Sequence, residues 1–396
     1  MNLVSKQSIT KEILDVAHHN SILNQMLSFI PRHVFQRLER EHHTGRQPRT
    51  FSLWNQFVCL AFIQLAGRKS MRDGIRNLQA TPKKLYHLGL KPVSRSTFSD
   101  ANNKRPASFF QALFGEMYSR CAPHAPKHKF RFKSKLMSLD STTISLCLSV
   151  FPWASFRSKR GGVKMHTLLD HGGHIPAFVC VSEAKKNDLS VAKTLNPPKG
   201  SIVAFDKAYI DYNWFRLLEQ QGVHFVTRQK TNAAYRVIER QPAKRKLGVT
   251  SDQIIEVATS EGPLKLRRVG FKDQETSKHF KFLTNNFKLA AKTIADIYKE
   301  RWKVELFFKE IKQNLKIKSF VGNSENAVLT QIYTAMVVYL LAAYIRFTSR
   351  IGMSVQQMLQ LLQVNVLGRI SLIELFRPPE KRDSNGYDSS LLRLAD

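Results

Sequence analysis

The chain has 396 residues, 43% of them hydrophobic and 10% aromatic, which reads as globular rather than disordered and allows two or three domains around a sizeable core. Lys and Arg number 62 against 30 acids, a formal charge of +32. Such an excess points to a polyanion, nucleic acid first and an anionic membrane second; because it recurs along the whole chain rather than in one tail, the polyanion is expected to lie across the whole body.

Residues 1–130 read as helical and basic. An amphipathic stretch over Ile22–Leu38 is broken at Pro31, Arg40–Thr50 is a polar loop, and Phe51–Leu65 is a strongly apolar helix ended by Gly67. Two short polar helices follow, Arg72–Leu78 and Ser96–Lys104, the second capped by Ser94 or Ser96. Its small, polar and basic side chains suit a recognition helix that reaches base edges and phosphates, and equally an ordinary solvated helix.

From residue 131 the period changes. Lys135–Leu146 reads as a strand, and Lys164–Leu169 with Ile175–Val181 as a hairpin around Asp170-His-Gly-Gly173. A helix capped by Asn187 or Asp188, a strand at Ile202–Phe205, a helix at Tyr212–Gln221 and a strand at His224–Thr227 complete a β-β-β-α-β-α-β order, an α/β sheet with an antiparallel start. Residues 229–290 alternate as β (Ile254–Ala258, Leu264–Val269, His279–Leu283) between basic runs and read as an insertion. Ala327–Ile345 carries no charge and is long enough to cross a membrane, but its Thr, Gln and Tyr residues favour a buried helix. One or two helices follow Phe347, and residues 378–396 read as a frayed tail.

Cys59, Cys121, Cys147 and Cys180 lack metal-ligand spacing and read as free thiols in a reducing compartment; the N-terminus lacks a signal peptide's apolar core.

The stretch Tyr298-Lys-Glu-Arg301-Trp302-Lys-Val-Glu305 and onward to Lys318 has no Gly or Pro and is expected to form one helix. At roughly 100° per residue, Tyr298, Arg301, Glu305 and Lys312 fall within about 60° of one another, beside an apolar stripe of Ile297, Val304, Phe308, Ile311 and Leu315. One carboxylate among cations at a core edge suggests a site for metal and phosphate. Two more carboxylates stand out. Asp140 lies inside the strand Leu136–Ile144, where an unpaired carboxylate costs several kcal/mol and a metal ion is a natural partner; a turn cap is the plainer alternative. Asp206 follows Ser-Ile-Val-Ala-Phe205, where the chain leaves a buried strand, the usual place for a site in an α/β sheet and also for a helix cap. Three carboxylates offer oxygen ligands only, which matches Mg²⁺ or Mn²⁺. Asp170 reads as a turn residue, Asp188 as a helix cap, Asp211 as a first-turn acid and His166 as a core histidine near Asp140.

These residues resemble the DDE transposases of bacterial insertion sequences, specifically the insertion-sequence-four family. Tyr298, Arg301, Glu305 and Lys312 meet that family's Y-x2-R-x3-E-x6-K signature, with its frequent Trp at Trp302; Leu139-Asp140-Ser-Thr-Thr resembles the motif of the first Asp, and Phe205-Asp206-Lys-Ala-Tyr209 that of the second, with Ala208 in place of Gly. The first 75 residues resemble the family's helical leader. The resemblance implies a ribonuclease-H-like catalytic core with a β-rich insertion, preceded by a helical DNA-binding region. The 99 residues between Asp206 and Glu305 leave room for that insertion. The implied domains are a leader at 1–75, a helical linker at 76–130 with a recognition helix at 96–104, a catalytic domain at 131–348 with its insertion near 229–290, and C-terminal helices at 349–396 suited to dimerisation. Catalysis would use two Mg²⁺ (or Mn²⁺) ions on Asp140, Asp206 and Glu305, with Tyr298, Arg301 and Lys312 on phosphates and Trp302 either stacked on a displaced base or packed beneath its helix. The expected function is a cytoplasmic, nucleoid-associated transposase that binds the terminal inverted repeats of its element, cuts DNA and transfers strands into target DNA as a homodimer, with no membrane partner. The rivals are a metal-dependent DNA nuclease without strand transfer, a catalytically dead DNA-binding regulator, and a membrane-surface protein using Ala327–Ile345.

Overall fold

The computed structural model describes residues 20–42, 48–157 and 160–377; the middle of the Arg40–Thr50 loop and the tail at 378–396 lie outside them. The first helices are α1 (Ile22–Leu27), α2 (Arg32–Glu41), α3 (Leu53–Leu65), α4 (Met71–Gln79), α5 (Pro82–Leu85), α6 (Arg95–Lys104) and α7 (Ala107–Cys121). Pro31 separates α1 from α2 because its ring is accepted at a helix start but not inside one. Ser52 and Ser94 cap α3 and α6 by accepting from Asn55 and Thr97 backbone N–H groups. Gly67, at φ +60, turns the chain out of α3. All thirteen residues of α3 are buried.

The strands are β1 (Leu136–Leu146), β2 (Ser155–Arg157), β3 (Arg160–Asp170), β4 (Ile175–Glu183), β5 (Ile202–Phe205), β6 (His224–Arg228), β7 (Arg236–Gln241), β8 (Val249–Val257), β9 (Leu264–Lys272) and β10 (His279–Thr284). Helices α8 (Asp188–Ala192) and α9 (Tyr212–Gln220) link β4 to β5 and β5 to β6. All ten strands form one sheet in the order β2-β3-β1-β5-β6-β10-β9-β8-β7, with β4 on β3. Antiparallel β4-β3-β1 followed by parallel β5 and β6 is the expected ribonuclease-H-like arrangement. The insertion does not stand apart from it. Strand β10 pairs antiparallel with β6, so the insertion extends the same sheet, and its outermost strand β7 is one that the alternation pattern does not reveal.

Alternation along β1 sends its residues to two different layers. Met137 and Leu139 pack with Ala192, Leu195, Trp214 and Phe215 beneath the sheet. On the other face, Leu136 meets Ile294 and Ile297 of α10 (Ala291–Glu300), and Ile144 shares a core with Val304 and Ile311 of α11 (Trp302–Asn314). Asp140 therefore belongs to the α10/α11 face and Ser141 to the α8/α9 face.

The single helix expected from Tyr298 to Lys318 is two. Helix α10 starts earlier, at Ala291, and the ladder tightens at Arg301, whose N–H reaches the Tyr298 carbonyl (3.1 Å) and whose own carbonyl accepts from Val304 (3.1 Å). No Gly or Pro encodes this break; it coincides with Arg301 reaching across to β1.

Helix α12 (Glu325–Thr348) is long and apolar enough to cross a membrane, but it is buried in protein over nearly its whole length. It packs on α1, α3, α6 and α7 and on β4. Tyr333 and Tyr339 bond the Val179 and His174 carbonyls on the sheet side, at 3.4 and 3.3 Å. One core thus runs from Ile22 to Phe376, through α13 (Val355–Asn365) and α14 (Leu372–Leu375).

Candidate active site

Parallel pairing of β1 with β5 sets Leu139 against Phe205, so Asp140 and Asp206 are the next residues on adjacent strands. Strand neighbours lie about 4.8 Å apart. Asp206 stands where a cap residue would, ahead of the short turn Lys207–Tyr209, yet its side chain makes no capping bond. Its Oδ1 accepts from the Tyr298 hydroxyl instead, at 3.3 Å. Asp140 is inside the strand, not at a turn. Its Oδ1 accepts the Ser141 N–H (2.8 Å) and its Oδ2 the Arg301 guanidinium (3.0 Å).

Arg301 joins the third carboxylate. Its second terminal nitrogen donates to Glu305 Oε1 at 2.8 Å, so one guanidinium bridges the strand acid and the helix acid. Lys312, two turns on, donates to Thr142 Oγ1 (2.5 Å) and the Thr143 carbonyl (3.1 Å), which ties α11 to β1 just past Asp140. All six residues from the two sequence motifs and the helix signature that were expected at the site therefore converge, with Trp302 beside them.

Burial raises the Asp140 carboxyl to about 6; Glu305 and Asp206 push the same way, and the Ser141 N–H and Arg301 only partly oppose them. Burial likewise lifts the Tyr298 phenol to about 12, so it remains a hydrogen-bond donor at neutral pH. Lys312 is lowered by burial and by Lys318.

The residues fit a divalent cation. The donors are three carboxylates, all hard oxygen, and Asp140 keeps a raised proton affinity chiefly because it is buried, with Glu305 and Asp206 adding to it and the Ser141 N–H and Arg301 only partly opposing. The three do not gather into one ion's shell. Among the described residues, only His171, His174 and Glu300 bring three ligand atoms within 4.8 Å of one another. That second group suits a cation poorly. Lys129 already pairs with Glu300, His171 Nε2 bonds Ser138 Oγ (2.7 Å), and burial, His174, His128, Lys303 and Lys129 all depress the His171 imidazole, to about 3.

Trp302 is 57% exposed, so it does not pack beneath its helix. It borders a cavity of about 460 Å³ lined by Phe271, Phe280 and Phe282 of the insertion, Tyr298, Lys292 and Lys299. The insertion's aromatic wall gave no signal in the sequence, because Phe in a β pattern reads as core.

His166 is buried beside Ser141, with Nε2 on Ser182 Oγ (2.9 Å); burial lowers it to about 4, and it faces away from Asp140. Asp170 caps its own turn through the Gly172 N–H (2.8 Å) and also accepts the Tyr118 hydroxyl (2.9 Å). Asp211 is the N-cap of α9, one position earlier than a first-turn acid. Asp188 does not cap α8; Asn187 does, and Asp188 turns to β1 and β3 instead. Helix α6 buries Phe98, Ala101 and Asn102 and leaves Arg95, Ser96 and Thr97 exposed.

A family profile described as the transposase DDE domain matches residues 131–341, and one for a domain of unknown function matches residues 18–91. A putative transposase, y4zB, of Sinorhizobium fredii is 31% identical over 303 residues, covering 75% of this chain and 83% of that protein. A probable transposase for insertion sequence element IS5377 of Geobacillus stearothermophilus is 27% identical over 333 residues, 83% of this chain and 85% of its own length. A putative transposase for insertion sequence element IS4SA of a Synechocystis strain is 25% identical, over 81% and 89%. The solved piggyBac transposase synaptic complex with hairpin DNA aligns with a TM-score of 0.39 at 11% identity, over 93% of this chain and 82% of that one, a likeness too remote to carry an argument.

Proposed function

The chain belongs to the family of the transposase DDE domain, a DNA-acting polynucleotidyl transferase dependent on divalent metal, and from that premise we propose that Asp140, Asp206 and Glu305 are its catalytic carboxylates. The observation that carries this reading is the Arg301 bridge, which joins the strand acid Asp140 to the helix acid Glu305, with Asp206 the neighbour of Asp140 on the adjacent strand. These three side chains would hold the ions, Mg²⁺ or Mn²⁺, two of them. When bound, such ions activate the attacking oxygen and stabilise the leaving oxygen of an in-line phosphoryl transfer.

The chain's own residues do the remaining work. Asp140 must be ionised to hold a cation, and its raised proton affinity makes it respond to pH near 6. Arg301, whose fork joins Asp140 and Glu305, would be placed to take a phosphate in bidentate fashion at the same edge. Tyr298 offers its hydroxyl as a donor, and Lys312 is a point charge at the same edge. Trp302 stacks on a base displaced from the duplex, for which its exposure and the aromatic cavity beside it leave room.

In this reading the enzyme binds its element's terminal inverted repeats through the leader (1–75) and the helix near 96–104. It cuts there to free a 3′-hydroxyl, then joins that hydroxyl to target DNA. Two copies pair the two ends, with residues 349–396 available for that contact. The site of action is the cytoplasm, at the nucleoid. Testing needs a duplex that carries the terminal repeat flanking the gene, Mg²⁺ or Mn²⁺, and the protein with each acid changed in turn. Loss of nicking in Asp140→Asn, Asp206→Asn and Glu305→Gln with end binding kept supports the assignment. Nicking that survives in any one of them removes that residue from the site. Strand-transfer products separate a transposase from a nuclease that only cuts.

A further inference from the structure

The reaction as read so far uses only the α10/α11 face of β1. Behind that strand lies a second polar assembly. Asp188, the first residue of α8, aims Oδ1 at the sheet and accepts the Ser141 hydroxyl at 3.0 Å. Lys164 Nζ lies 3.1 Å from the same oxygen and His166 Nδ1 3.5 Å. The His166 Nδ1 is buried with no hydrogen-bond partner, and the buried Tyr209 hydroxyl lies against Ser141 and borders Asp188 and Asp140. Ser141 is the hinge between the two faces. Its hydroxyl is held by Asp188 on one side, and its N–H donates to Asp140 Oδ1 on the other. Strand β5 ends opposite Leu139, so among the described residues β1 has no strand partner on that edge beside Ser141.

We propose that Asp188 is a positioning residue for phosphoryl transfer: through the Ser141 hydroxyl it fixes the backbone N–H that orients the Asp140 carboxylate. The proposal rests on the reading of Asp140 as a metal-holding carboxylate. Outer partners of this kind set the direction of a ligand, and their loss typically costs about 10–100-fold in metal affinity or activity. Asp188 belongs to α8, so it couples the placement of α8 to the geometry of the opposite face.

The test uses the full-length protein, first with Mn²⁺ alone, followed by calorimetry or paramagnetic resonance, and then with cleavage of a terminal-repeat duplex. Asp188→Ala and Ser141→Ala should each weaken Mn²⁺ binding and lower kcat about tenfold at unchanged KM for DNA. The double variant should be no worse than either single one, because both break one relay. Asp188→Asn keeps an acceptor for Ser141 and should recover most of the loss. Wild-type Mn²⁺ affinity and kcat in Ser141→Ala, which removes one hydroxyl and leaves the fold intact, overturn the proposal, as do additive losses in the double variant. Asp140→Asn is the control: if it still cleaves, the carboxylate reading itself fails, whereas loss there with wild-type behaviour in Ser141→Ala sinks only the role of Asp188.

Discussion

Replacing Asp140 by Asn should make the protein more stable while it abolishes cleavage. The carboxyl rises from an ordinary 3.8 to about 6, chiefly because it is desolvated, and that value already includes the help of Arg301 and the Ser141 N–H. A shift of this size corresponds to roughly 3 kcal/mol held against the folded, ionised form at 1.36 kcal/mol per pH unit. The sign follows from linkage: a group whose folded value is raised costs nothing below the unfolded value and its full amount above the folded one. Asparagine has the shape of the protonated acid and never ionises. At pH 8 without metal, Asp140→Asn should therefore melt higher by about 3–6 °C, on the order of 1–2 °C per kcal/mol for a chain of this length. The gap should shrink as pH falls through 6 and vanish below about 4. Scanning calorimetry in EDTA from pH 4 to 8 measures it, with nicking of a terminal-repeat duplex assayed in parallel. A variant that melts lower at pH 8, or a gap that does not change with pH, would show that Asp140 is not an electrostatically strained carboxylate.

Other outcomes follow from separate parts of the molecule. Trp302→Ala should leave the melting temperature unchanged, since the ring is 57% exposed, and should weaken cleavage-competent binding by the 1–3 kcal/mol that a stacked base typically contributes; equal cleavage by both proteins would rule out stacking. Leu340→Ala opens a cavity at a fully buried position of α12 and should cost about 2–5 kcal/mol, read as a lower denaturant midpoint; a cost under 1 kcal/mol would mean that α12 is not packed as described. Arg267→Met leaves Asp252 as a lone buried charge after removing a bidentate pair at 2.9 and 2.7 Å, and should destabilise by about 3–5 kcal/mol in urea titration. End binding should fall by roughly 10³-fold or more between 50 and 200 mM salt if six or more phosphates are contacted, and a flat salt response would contradict the charge-based argument for a DNA partner.

Much of the fold was legible because local patterns and tertiary demands agreed. Strand β5 is a continuous apolar run ended by Asp206, and α3 runs between Ser52 and Gly67, both strong boundary signals. The disagreements arose where long-range contacts decide. Strand β7 carries Arg236, Glu239 and Arg240 on an exposed edge with no alternation, so only its pairing with β8 makes it a strand. The break at Arg301 has no local cause, and the turn lies where one guanidinium serves two acids remote from each other in sequence. Asp188 follows Asn187, and either could cap α8; which one does decides whether the other is free to reach Ser141. Within the candidate site, the charged face of the signature residues could be read from spacing, whereas the bonds among them required the β1–β5 register.

Helix α12 has a bearing on how such a protein can change over time. Its flanks serve two clients at once, the front helices on one side and strand β4 on the other, inside one continuous interior. A front end grafted from a distant relative would meet side chains shaped for another partner. Modular exchange, the usual route by which multidomain enzymes acquire a new address, is closed to this architecture unless α12 moves with the graft. Change in the front helices is then confined to residue-by-residue substitution on outward faces, while the shared interior keeps its shape.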